Sequence, residues 1–560
     1  MGVVNNFAAY DVTSLDEIKA QILHDTIINC GIFNDLVGLF VFFDISINFT
    51  CGLNSVYFLL NLKNIKVAIY IGLLKNNSQF VIIFNMEIFH ISAECYPMAK
   101  VGGLADVVGA LPKYQTNAGH QVRVIVPCYD TKFRKENDFE CVHWGTVKLG
   151  NFNFPFSILK ETTNKLGYEL YLVEINELFD RPNVYGYEDD IERFLAFQIA
   201  VLDWIICRNT VPDVINCHDH HTGLIPFLVQ FAYKYDSLKN VKTVITIHNG
   251  LYQGWFGFDK LHYLPEFDLK HVGFLEWNNS INSLAVGVKC ANAVTTVSPS
   301  YLNEINHAAN GLESLFKSVR SKSRGILNGI DIEVWDPLKD QMITANYSIE
   351  TFEAGKQKNK EKLCEQFDLD PEKPLFSFIG RLFEEKGGDL LPQASALALS
   401  ENFENINILI LGSGNAVIEE QLVQLRNDYN GNYNVFIGYN EELAHLIYAG
   451  SDYILMPSRV EPCGLNQMYA MRYGTIPIVR RTGGLRDTVA DFGDEGNGIC
   501  HDQASVGDIC YSINRAVKLY NNKLNFNKVL ERGMAADHSW ERVCQEYIEI
   551  YNLIIEKNEI

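Results

Sequence analysis

Two absences narrow the function of this chain before any motif is considered. The 13 cysteines are scattered over 560 residues, and no Cys-x-x-Cys pair occurs among them. Zinc-ribbon and dithiol redox motifs are therefore missing, and the cysteine usage is typical of a reduced, cytoplasmic protein. Positive charge is also scarce, because the formal net charge is −21. Such a field repels phosphate backbones, which disfavours nucleic-acid binding, so local cations and backbone amides must hold any anionic substrate.

The first 85 residues contain no Pro, Arg or Trp and are rich in Asn, Ile, Phe and Leu. The stretch 36–62 is apolar enough to suggest a membrane span, although Asp44 and several Asn residues interrupt it. A span needs about 20 predominantly apolar residues with few charges. Five acidic residues before position 36 argue against a transit peptide. A third interpretation is that this segment is not evolved protein, since AT-rich DNA encodes its residues. We favour Met86 as the natural start, and we expect residues 1–85 to be poorly ordered or packed weakly outside the domain, and not to be attached to a membrane.

From Met86 onward, short apolar strands alternate with segments of helical periodicity. Hydrophobic residues make up 47% and charged residues 21% of the chain, as in ordinary globular proteins. The strands are predicted in two series, at 88–93, 121–127, 214–218, 241–248 and 293–298, then at 376–380, 406–412, 435–438, 452–456 and 476–479. This pattern predicts an α/β chain with two doubly wound parallel sheets. Ligands of such sheets bind beyond the carboxyl ends of the strands, so functional residues should follow strands.

The turn after the first strand carries Lys100 and the paired glycines Gly102 and Gly103, and Asp106 lies in the helix that follows. Paired glycines let the backbone approach a ligand closely, and a helix N-terminus presents free N–H groups to an anion. A plain glycine-rich turn is the alternative interpretation. A P-loop is excluded, because no Gly-Lys-Ser/Thr follows.

Three histidines, His218, His220 and His221, stand at the end of a later strand. They suggest a metal, but they are nearly adjacent rather than four residues apart, so a tetrahedral site is awkward. We favour recognition of a hydroxyl group by a neutral imidazole and expect no metal. His248 and Asn249, at the end of the next strand, are interpreted as a structural hydrogen-bonded pair.

In the second half, Arg381 follows one strand and Lys386 lies five residues further on. Two cations flanking a turn suit a diphosphate, although surface cations are usually just solvated. Gly412 and Gly414 resemble the start of a dinucleotide fingerprint. Val417 stands where the third glycine belongs, which disfavours NAD.

The most specific string is PSRVEPCGL at 457–465. It places Glu461 at a strand tip, before a Pro-Cys-Gly turn and a helix, where the carboxylate can accept sugar hydroxyls. The backbone amides of Cys463, Gly464 and Leu465 can then bind phosphate. The alternative is a rigid surface turn with a solvated Glu. A nucleophilic Cys463 is disfavoured, because no His–Asn pattern accompanies it.

Taken together, these strings resemble one family, the bacterial glycogen synthases and plant starch synthases of the GT-B glycosyltransferases. The resemblance runs from Met86 to the end and rests on KVGGLADVVGALP (100–112), HDHHTG (218–223), TIHNGLYQG (246–254), GILNGIDIEVWDP (325–337), GRLFEEKG (380–387), PSRVEPCGL (457–465) and RRTGGLRDTV (480–489). It implies a GT-B fold, in which two Rossmann-like domains face each other across a cleft. The implied boundaries are 86–328 for a glucan-acceptor domain, 329–537 for a nucleotide-sugar domain and 538–560 for a helix that packs back on the first domain.

The resemblance also implies an activity and roles for individual residues. Glucose passes from ADP-glucose to the non-reducing end of an α-1,4-glucan, with retention of configuration and with no metal or other cofactor. Arg381 and Lys386 hold the diphosphate, Tyr439 stacks on adenine, Glu461 binds sugar hydroxyls and His218 contacts the donor glucose. The other implied site residues lie near the donor phosphates, the transferred sugar or the glucan end: Lys100, Gly102, Gly103, Asp106, Asp189 (in preference to Asp190), Asn328, Cys463, Gly464 and Leu465. No carboxylate is obviously placed as a covalent nucleophile, so a front-face reaction through an oxocarbenium-like state is expected.

Two positions depart from the family pattern in ways that bear on donor affinity. His220 stands where Trp is usual, and Asn466 stands where Thr is common. The rival functions are a sucrose- or trehalose-forming transferase, a phosphorylase and a catalytically silent glucan-binding protein. The order of the strings, especially Glu-Pro-Cys-Gly-Leu, argues against the first, and no motif supports the pyridoxal-bearing Lys that a phosphorylase would need. The intact Lys100, Arg381, Lys386 and Glu461 argue against a silent protein. The choice between ADP-glucose and UDP-glucose stays open at this level.

Overall fold

A computed structural model describes residues 46–52, 55–62, 65–72, 80–402 and 405–556 of the chain. The chain divides into two compact units, Met1–Met86 and Glu87–Ile560. Each unit is described separately below, and the strands and helices are numbered in chain order.

Within the first unit, the described residues form a four-stranded antiparallel sheet of consecutive strands, β1 (Ser46–Gly52), β2 (Ser55–Leu62), β3 (Ile65–Gly72) and β4 (Phe80–Phe84). The sequence analysis did not predict these strands, and its expectation that residues 1–85 are poorly ordered or packed weakly outside the domain stays a prediction. The segment is rich in Ile, Val, Phe and Tyr, which favour strands even where Pro and Gly are scarce. The expectation for residues 1–45 lies outside the described residues, as does the first part of the apolar stretch 36–62.

In the second unit, residues 87–325 contribute twelve strands: β5 (Glu87–Ile91), β6 (Gln121–Pro127), β7 (Phe139–Leu149), β8 (Phe152–Glu161), β9 (Glu169–Glu174), β10 (Val214–His218), β11 (Lys242–Ile247), β12 (Trp255–Phe256), β13 (Glu276–Trp277), β14 (Ser280–Asn282), β15 (Ala293–Thr296) and β16 (Ser323–Gly325). Nine of them form one sheet in the order β16-β15-β11-β10-β5-β6-β9-β8-β7, while β12, β14 and β13 form a small separate sheet. The sheet is parallel from β16 to β9, and β7 and β8 add an antiparallel edge. Strand β5 pairs with both β10 and β6, so it is central, as predicted.

The helices of this half are α1 (Gly103–Asn117), α2 (Lys132–Glu136), α3 (Asp190–Cys207), α4 (Ile225–Phe231), α5 (Ser283–Cys290), α6 (Pro299–Glu304) and α7 (Glu313–Ser318). Strands β10 and β11 are buried along their whole length. Full burial explains why both read as continuous apolar runs rather than as alternating patterns.

Residues 375–501 contribute six parallel strands: β17 (Leu375–Leu382), β18 (Asn407–Gly414), β19 (Tyr433–Ile437), β20 (Tyr453–Met456), β21 (Ile476–Arg480) and β22 (Ile499–His501). Their order is β19-β18-β17-β20-β21-β22. This order reverses between β17 and β20, as in doubly wound nucleotide-binding sheets, where ligands bind at the switch point. The predicted α/β class with two doubly wound sheets is therefore confirmed.

The helices of this half are α8 (Phe352–Phe367), α9 (Leu391–Asn402), α10 (Ala416–Asp428), α11 (Glu441–Gly450), α12 (Asn466–Arg472), α13 (Gly483–Thr488), α14 (Val506–Tyr520), α15 (Lys523–Met534) and α16 (Trp540–Glu556). Helix α16 returns to the first sheet, where it contacts α1 and β11. The Tyr551 hydroxyl on α16 donates to Asn216 Oδ1 in β10 at 2.8 Å. Among the residues described above, no helix combines the length and the apolar character needed to cross a membrane.

Candidate active site

A cavity of about 700 Å³ is lined by residues from both sheets of the unit Glu87–Ile560. Of the fourteen predicted site residues, twelve line this cavity: Lys100, Gly102, Gly103, Asp106, Asn328, Arg381, Lys386, Tyr439, Glu461, Cys463, Gly464 and Leu465. They come from loops that follow strands in the two halves of the chain, as the topology of doubly wound sheets predicts. The other two, His218 and Asp189, are not part of the lining.

The loop after β5 is organised by Glu94, which the sequence analysis did not single out. Its Oε2 atom accepts hydrogen bonds from the backbone amides of Val101 and Gly102, the latter at 3.0 Å. Its Oε1 atom accepts from the hydroxyl of Tyr185 at 2.7 Å. Burial raises the pKa of the Glu94 carboxyl above its ordinary value, against the effect of these donors. Two of the loop amides predicted to face an anionic ligand therefore already hold a carboxylate of the protein.

Lys100 and Asp106 face each other across the same loop, with Nζ and Oδ1 2.7 Å apart. Burial works against the charge of Lys100, but the neighbouring Asp106 carboxylate outweighs it, so the pKa of Lys100 lies above its ordinary value. Burial raises the pKa of Asp106, and Lys100 opposes that rise. Lys100 therefore presents a persistent positive charge at the cavity wall.

His218 is fully buried behind the cavity, which corrects its predicted contact with the donor glucose. Its two ring nitrogens are already engaged, Nε2 by His90 at 3.0 Å and Nδ1 by His248 at 2.9 Å. His248 lines the cavity instead. The residue that was interpreted as structural, His248, therefore reaches the cavity, whereas His218 does not.

The turn after β10 brings Asp219 to the cavity with an unusual backbone conformation, φ = 55° and ψ = −174°. A non-glycine residue at such angles costs on the order of 1–3 kcal/mol and is often found at functional sites. Its Oδ1 accepts from the backbone amide of His248 at 2.7 Å. Burial raises the pKa of Asp219 to about 7. This residue links the loops that follow β10 and β11.

Two neighbouring acidic residues at the start of α3, Asp189 and Asp190, make different contacts. Asp189 binds Arg181 through both carboxylate oxygens, at 2.6 and 2.7 Å, and stands away from the cavity. Asp190 lines the cavity, accepts from the Gly186 amide at 2.8 Å and also bonds Arg193. The preference for Asp189 is therefore corrected in favour of Asp190. The two residues project in different directions, because successive helical positions are rotated by about 100°.

Glu461 and Lys386 form the central ion pair of the second half. Lys386 Nζ lies 2.6 Å from Glu461 Oε1, and the Ser458 hydroxyl donates to Oε2 at 2.9 Å. Glu461 is 5% exposed, so its carboxylate is held in one orientation. Arg381, at the end of β17, is half-exposed and makes a weaker contact of 3.4 Å with Glu385. These two cations flank the turn 384–386, as expected from the sequence.

The turn after Glu461 exposes backbone to the cavity while it buries the Cys463 thiol. Burial raises the pKa of Cys463 to about 12, so the thiol stays protonated near neutral pH and is a poor nucleophile. Gly464 has φ = 74°, and a Cβ there would lie 2.5 Å from Gln467 Oε1, so this position requires glycine. Asn328 also lines the cavity, and its Oδ1 has no hydrogen-bond partner among the described residues.

Two other glycine pairs serve packing rather than ligand approach. A Cβ on Gly412 would lie 2.2 Å from the carbonyl of Gly380, so Gly412 permits close contact of β18 with β17. A Cβ on Gly483 would lie 2.0 Å from the carbonyl of Glu461. The glycines after β21 therefore support the loop that carries Glu461.

An aromatic wall closes the cavity on the side of the second sheet. Tyr439 is 77% exposed and lines the cavity, as predicted for a stacking side chain. Trp335 also lines it and stacks between His445 and Tyr469, with ring centroids 3.9 Å apart on both sides. The sequence analysis did not name Glu94, Tyr185 or Trp335, and it assigned no ligand contact to Asp219 or His248. A signal was present for most of them, because Asp219, His248 and Trp335 lie inside the quoted strings and Glu94 directly follows the predicted strand 88–93.

Side chains of three or more His, Cys, Asp or Glu residues arranged to hold a metal ion do not occur in the described part of the chain. The rings of His220 and His221 are tilted against each other, with centroids 3.7 Å apart. The His221 ring also contacts the rings of Tyr185 and Phe194.

Comparison with known proteins agrees with this architecture. The family described as "Starch synthase catalytic domain" matches residues 87–318, and "Glycosyl transferases group 1" matches residues 359–529. The glycogen synthase of Flavobacterium johnsoniae is 89% identical over 472 residues, which cover 84% of this chain and all of that protein. The glycogen synthase of Geobacillus thermodenitrificans is 39% identical over 493 residues, covering 85% of this chain and 99% of that protein.

Solved structures give the same result. The catalytic domain of starch synthase IV from Arabidopsis thaliana, bound to ADP and acarbose, superimposes with a TM-score of 0.78 at 31% identity, covering 84% of this chain and all of that chain. A sucrose-phosphate synthase from Thermosynechococcus elongatus, with a TM-score of 0.55 at 17% identity, shares the fold alone. The two matched sequence families, the two facing sheets and the high identity lead to one conclusion: the chain belongs to the glycogen synthase family.

Proposed function

We propose that this protein transfers glucose from ADP-glucose to the non-reducing end of an α-1,4-glucan, with retention of configuration. The observation that carries the proposal is the cavity between the sheets, where Lys386 and Arg381 stand beside the fixed carboxylate of Glu461. Cations beside a sugar-binding carboxylate are what a nucleotide-diphosphate sugar requires. The starch synthase structure that superimposes on this chain holds ADP and acarbose.

The donor's diphosphate is assigned to Arg381 and Lys386. An ammonium group has three hydrogens, so Lys386 can keep its bond to Glu461 and still bind phosphate oxygens. Arg381 is free to turn towards a ligand, because its contact with Glu385 is long. The exposed ring of Tyr439 offers a face on which adenine can stack.

The transferred glucose is assigned to the space between Glu461 and the first sheet. Glu461 accepts hydrogen bonds from sugar hydroxyls, and the amides of Cys463 to Leu465 approach the phosphate end. On the opposite wall, His248, Asp190 and Asn328 supply further polar atoms. Lys100, Asp106 and the Gly102–Gly103 turn are assigned to the region where donor phosphates and glucan end meet.

Three of the seven carboxylates that line the cavity support a front-face reaction over a covalent glucosyl intermediate. Both oxygens of each are engaged: Glu94 by Tyr185 and two loop amides, Asp190 by Arg193 and the Gly186 amide, and Glu461 by Lys386 and Ser458. A carboxylate bound in this way is a weak nucleophile. The acceptor hydroxyl therefore attacks on the face that the leaving ADP vacates, through an oxocarbenium-like state. The ADP gains negative charge as the bond breaks, and Arg381 and Lys386 stabilise that charge.

The test is glucose transfer onto glycogen, measured separately with ADP-glucose and UDP-glucose. We expect the higher kcat/KM with ADP-glucose and product linkages of the α-1,4 type. The same assay with EDTA should give unchanged rates, because both ring nitrogens of His218 are engaged by His90 and His248. A preference for UDP-glucose would overturn the donor assignment, and restoration of lost activity by zinc or magnesium would overturn the metal-free reaction.

A further product assay separates the rival functions. Formation of sucrose or trehalose phosphates, or phosphate-dependent release of glucose 1-phosphate from glycogen, would replace the proposed reaction with one of them. We also propose the domain boundaries 86–328, 329–537 and 538–560, and a cytoplasmic location. The location is supported by the eleven cysteines with described side chains, which are all free.

A further inference from the structure

Three buried histidines form a continuous chain of hydrogen bonds that ends at the cavity. His90 Nδ1 lies 3.0 Å from His218 Nε2, and His218 Nδ1 lies 2.9 Å from His248 Nε2. His90 and His218 are fully buried, and His248 is 8% exposed and lines the cavity. They belong to the three adjacent parallel strands β5, β10 and β11 or to the residue that follows them. We call these three side chains the histidine relay.

Burial keeps the relay neutral. It lowers the pKa of His90 to about 4 and that of His248 to about 3, and it lowers the pKa of His218 still more clearly. A neutral imidazole carries one N–H donor and one bare nitrogen acceptor. In a chain of neutral imidazoles, the proton position on one ring therefore dictates the position on the next.

The far end of the relay is anchored by an amide whose orientation is determined. The Tyr551 hydroxyl donates its hydrogen to Asn216 Oδ1 at 2.8 Å, so the Tyr551 oxygen can only accept a further hydrogen bond. The amide nitrogen of Gln115 faces that oxygen at 3.5 Å. The carbonyl oxygen of Gln115 consequently faces His90 Nε2, at 2.7 Å. Helices α1 and α16 thus present a fixed acceptor to the first ring.

The direction of the whole relay follows from that acceptor. His90 must carry its proton on Nε2 to donate to Gln115 Oε1, so its Nδ1 is bare. His218 then donates from Nε2 to His90, and His248 donates from Nε2 to the bare Nδ1 of His218. The Nδ1 atom of His248 is left without a proton.

A competing contact does not reverse this direction. The Asn216 amide nitrogen lies 3.2 Å from His218 Nε2. Its two hydrogens have other acceptors, the hydroxyl of Thr246 at 2.8 Å and the carbonyl of Cys217 at 3.4 Å. His218 Nε2 can therefore carry a proton while Asn216 stays satisfied.

At the cavity end, His248 Nδ1 has no hydrogen-bond partner among the described residues and is not buried. We propose that Gln115 and His90 act as positioning residues, which through His218 hold His248 in the Nε2–H tautomer with Nδ1 as an acceptor for a glucosyl hydroxyl group. An acceptor at this point binds a hydroxyl and repels a carboxylate or phosphate, so the relay favours a neutral sugar over an anionic one. This inference rests on the proposed function, since the ligand it addresses is the transferred glucose.

The first experiment reads the tautomers directly in the wild-type protein labelled with ¹⁵N-histidine. The ¹⁵N chemical shifts distinguish a protonated from a bare ring nitrogen, and loss of signals in His248→Gln assigns the ring at the cavity. We expect His248 with a protonated Nε2 and a bare Nδ1. A proton on Nδ1 in the wild-type protein would overturn the proposal. This readout needs no turnover, so it separates failure of the relay from failure of the proposed function.

The second experiment uses the variants His90→Phe and Gln115→Met, each of which removes one link without touching the cavity. The matched control is His120→Phe, since His120 is also buried and neutral in the same half of the chain but lies outside the relay. We expect kcat/KM for the glucosyl donor to fall about tenfold in the two relay variants, equivalent to about 1.4 kcal/mol, and to stay near the wild-type value in the control.

Deoxyglucosyl donors, lacking one hydroxyl each at positions 2, 3, 4 and 6, locate the contact. For one of them, the relay variants should differ little from wild type, because the hydroxyl that meets His248 is already missing. If either relay variant fails to fold, the other variant and the wild-type tautomer measurement still decide. If the relay variants lose kcat/KM equally with all four deoxyglucosyl donors and with the unmodified glucosyl donor, the relay has a merely structural role and the proposal is overturned.

Discussion

Glu461 is the residue on which the proposed chemistry depends most directly, because Lys386 and Ser458 hold its two oxygens in a buried position. Replacing Glu461 by Ala removes an interaction that acts mainly in the transition state. We expect kcat to fall by about 10²- to 10³-fold, with a smaller change in KM and an intact fold. Steady-state glucose transfer and circular dichroism check both parts.

The control for this prediction is Glu365→Ala, which breaks an exposed ion pair with Lys362 and should leave kcat unchanged. Glu461→Gln tests whether charge or shape matters, since the amide keeps one acceptor oxygen. Near-normal turnover in Glu461→Ala would remove Glu461 from the site.

Single-residue assignments were the least secure part of the sequence reasoning. The cavity is lined by His248 rather than His218, and by Asp190 rather than the preferred Asp189. Both differences concern only the direction in which a side chain points. Neighbouring residues at a strand end or a helix start point to different sides, and the motif string contains both candidates.

At the scale of elements, the turn between β17 and α9 positions Lys386. Gly387 has φ = 72°, and a Cβ there would lie 2.6 Å from the Pro457 carbonyl. Gly387→Ala therefore adds a backbone clash to the conformational strain of a left-handed residue. We expect it to cost more than the roughly 1–2 kcal/mol of strain alone and to lower kcat/KM at least about tenfold.

Gly431→Ala is the matched control, because Gly431 has φ = 83° but a Cβ there would meet nothing within 4 Å. It should show the strain alone in thermal melting and no loss of transfer rate. Equal effects of the two substitutions on activity would show that the position of Lys386 does not depend on this turn.

The ten predicted strands lie within a few residues of strands in the structure, and β10 and β6 agree in full with the predicted 214–218 and 121–127. Buried parallel strands are continuous apolar runs bounded by turns, a pattern that is easy to recognise in a sequence. The parallel strands β9, β16 and β22 were not predicted, and neither was the antiparallel hairpin of β7 and β8. Its residues alternate in exposure at the edge of the sheet, so their pairing depends on β9 rather than on their own composition.

At the scale of the whole molecule, buried neutral histidines link stability to pH. Burial lowers the pKa of eight of them: His90, His120, His218, His220, His221, His248, His501 and His538. Below an unfolded-state pKa of about 6.5, the unfolded chain binds protons that the folded chain does not, so stability falls as pH falls. The raised pKa values of five carboxyl groups act in the opposite direction but involve fewer groups: Glu94, Asp106, Asp213, Asp219 and Glu546.

We therefore expect the free energy of unfolding to decrease between about pH 6.5 and pH 4, as measured by urea denaturation. His120→Gln should remove one contributing group, whose folded pKa is about 4. The loss of stability on going from about pH 7 to about pH 5 should then shrink by about 2 kcal/mol. An unchanged pH dependence in His120→Gln would contradict the assignment of a neutral buried imidazole.

The two compact units suggest that residues 86–560 can stand alone. Every family string lies after Met86, and Glu87–Ile560 forms a unit with its own sheets. We expect a protein of residues 86–560 to fold, to transfer glucose as fast as the full chain and to be obtained in higher soluble yield. Parallel expression, thermal melting and glucose transfer make the comparison. An insoluble or inactive product would make the N-terminal segment a working part and revive the membrane-anchor interpretation.

By itself, the sequence determined the fold class, the family and the strings from which the site is built. Apolar runs, turn glycines and the order of the seven strings can be read from the chain without knowing its tertiary contacts. Twelve of the fourteen predicted site residues meet in one cavity for this reason, since residues that follow parallel strands gather at one edge of each sheet.

The tertiary structure decided which side chains face the ligand and what supports them. The relay of His90, His218 and His248 joins positions up to 158 residues apart in the sequence, and Tyr551 reaches it from the last helix. Hydrogen-bond partners, burial and tautomers are set by contacts between distant strands and helices. A linear string cannot specify these contacts, because they arise when parallel pairing places β5, β10 and β11 side by side and α16 closes over them.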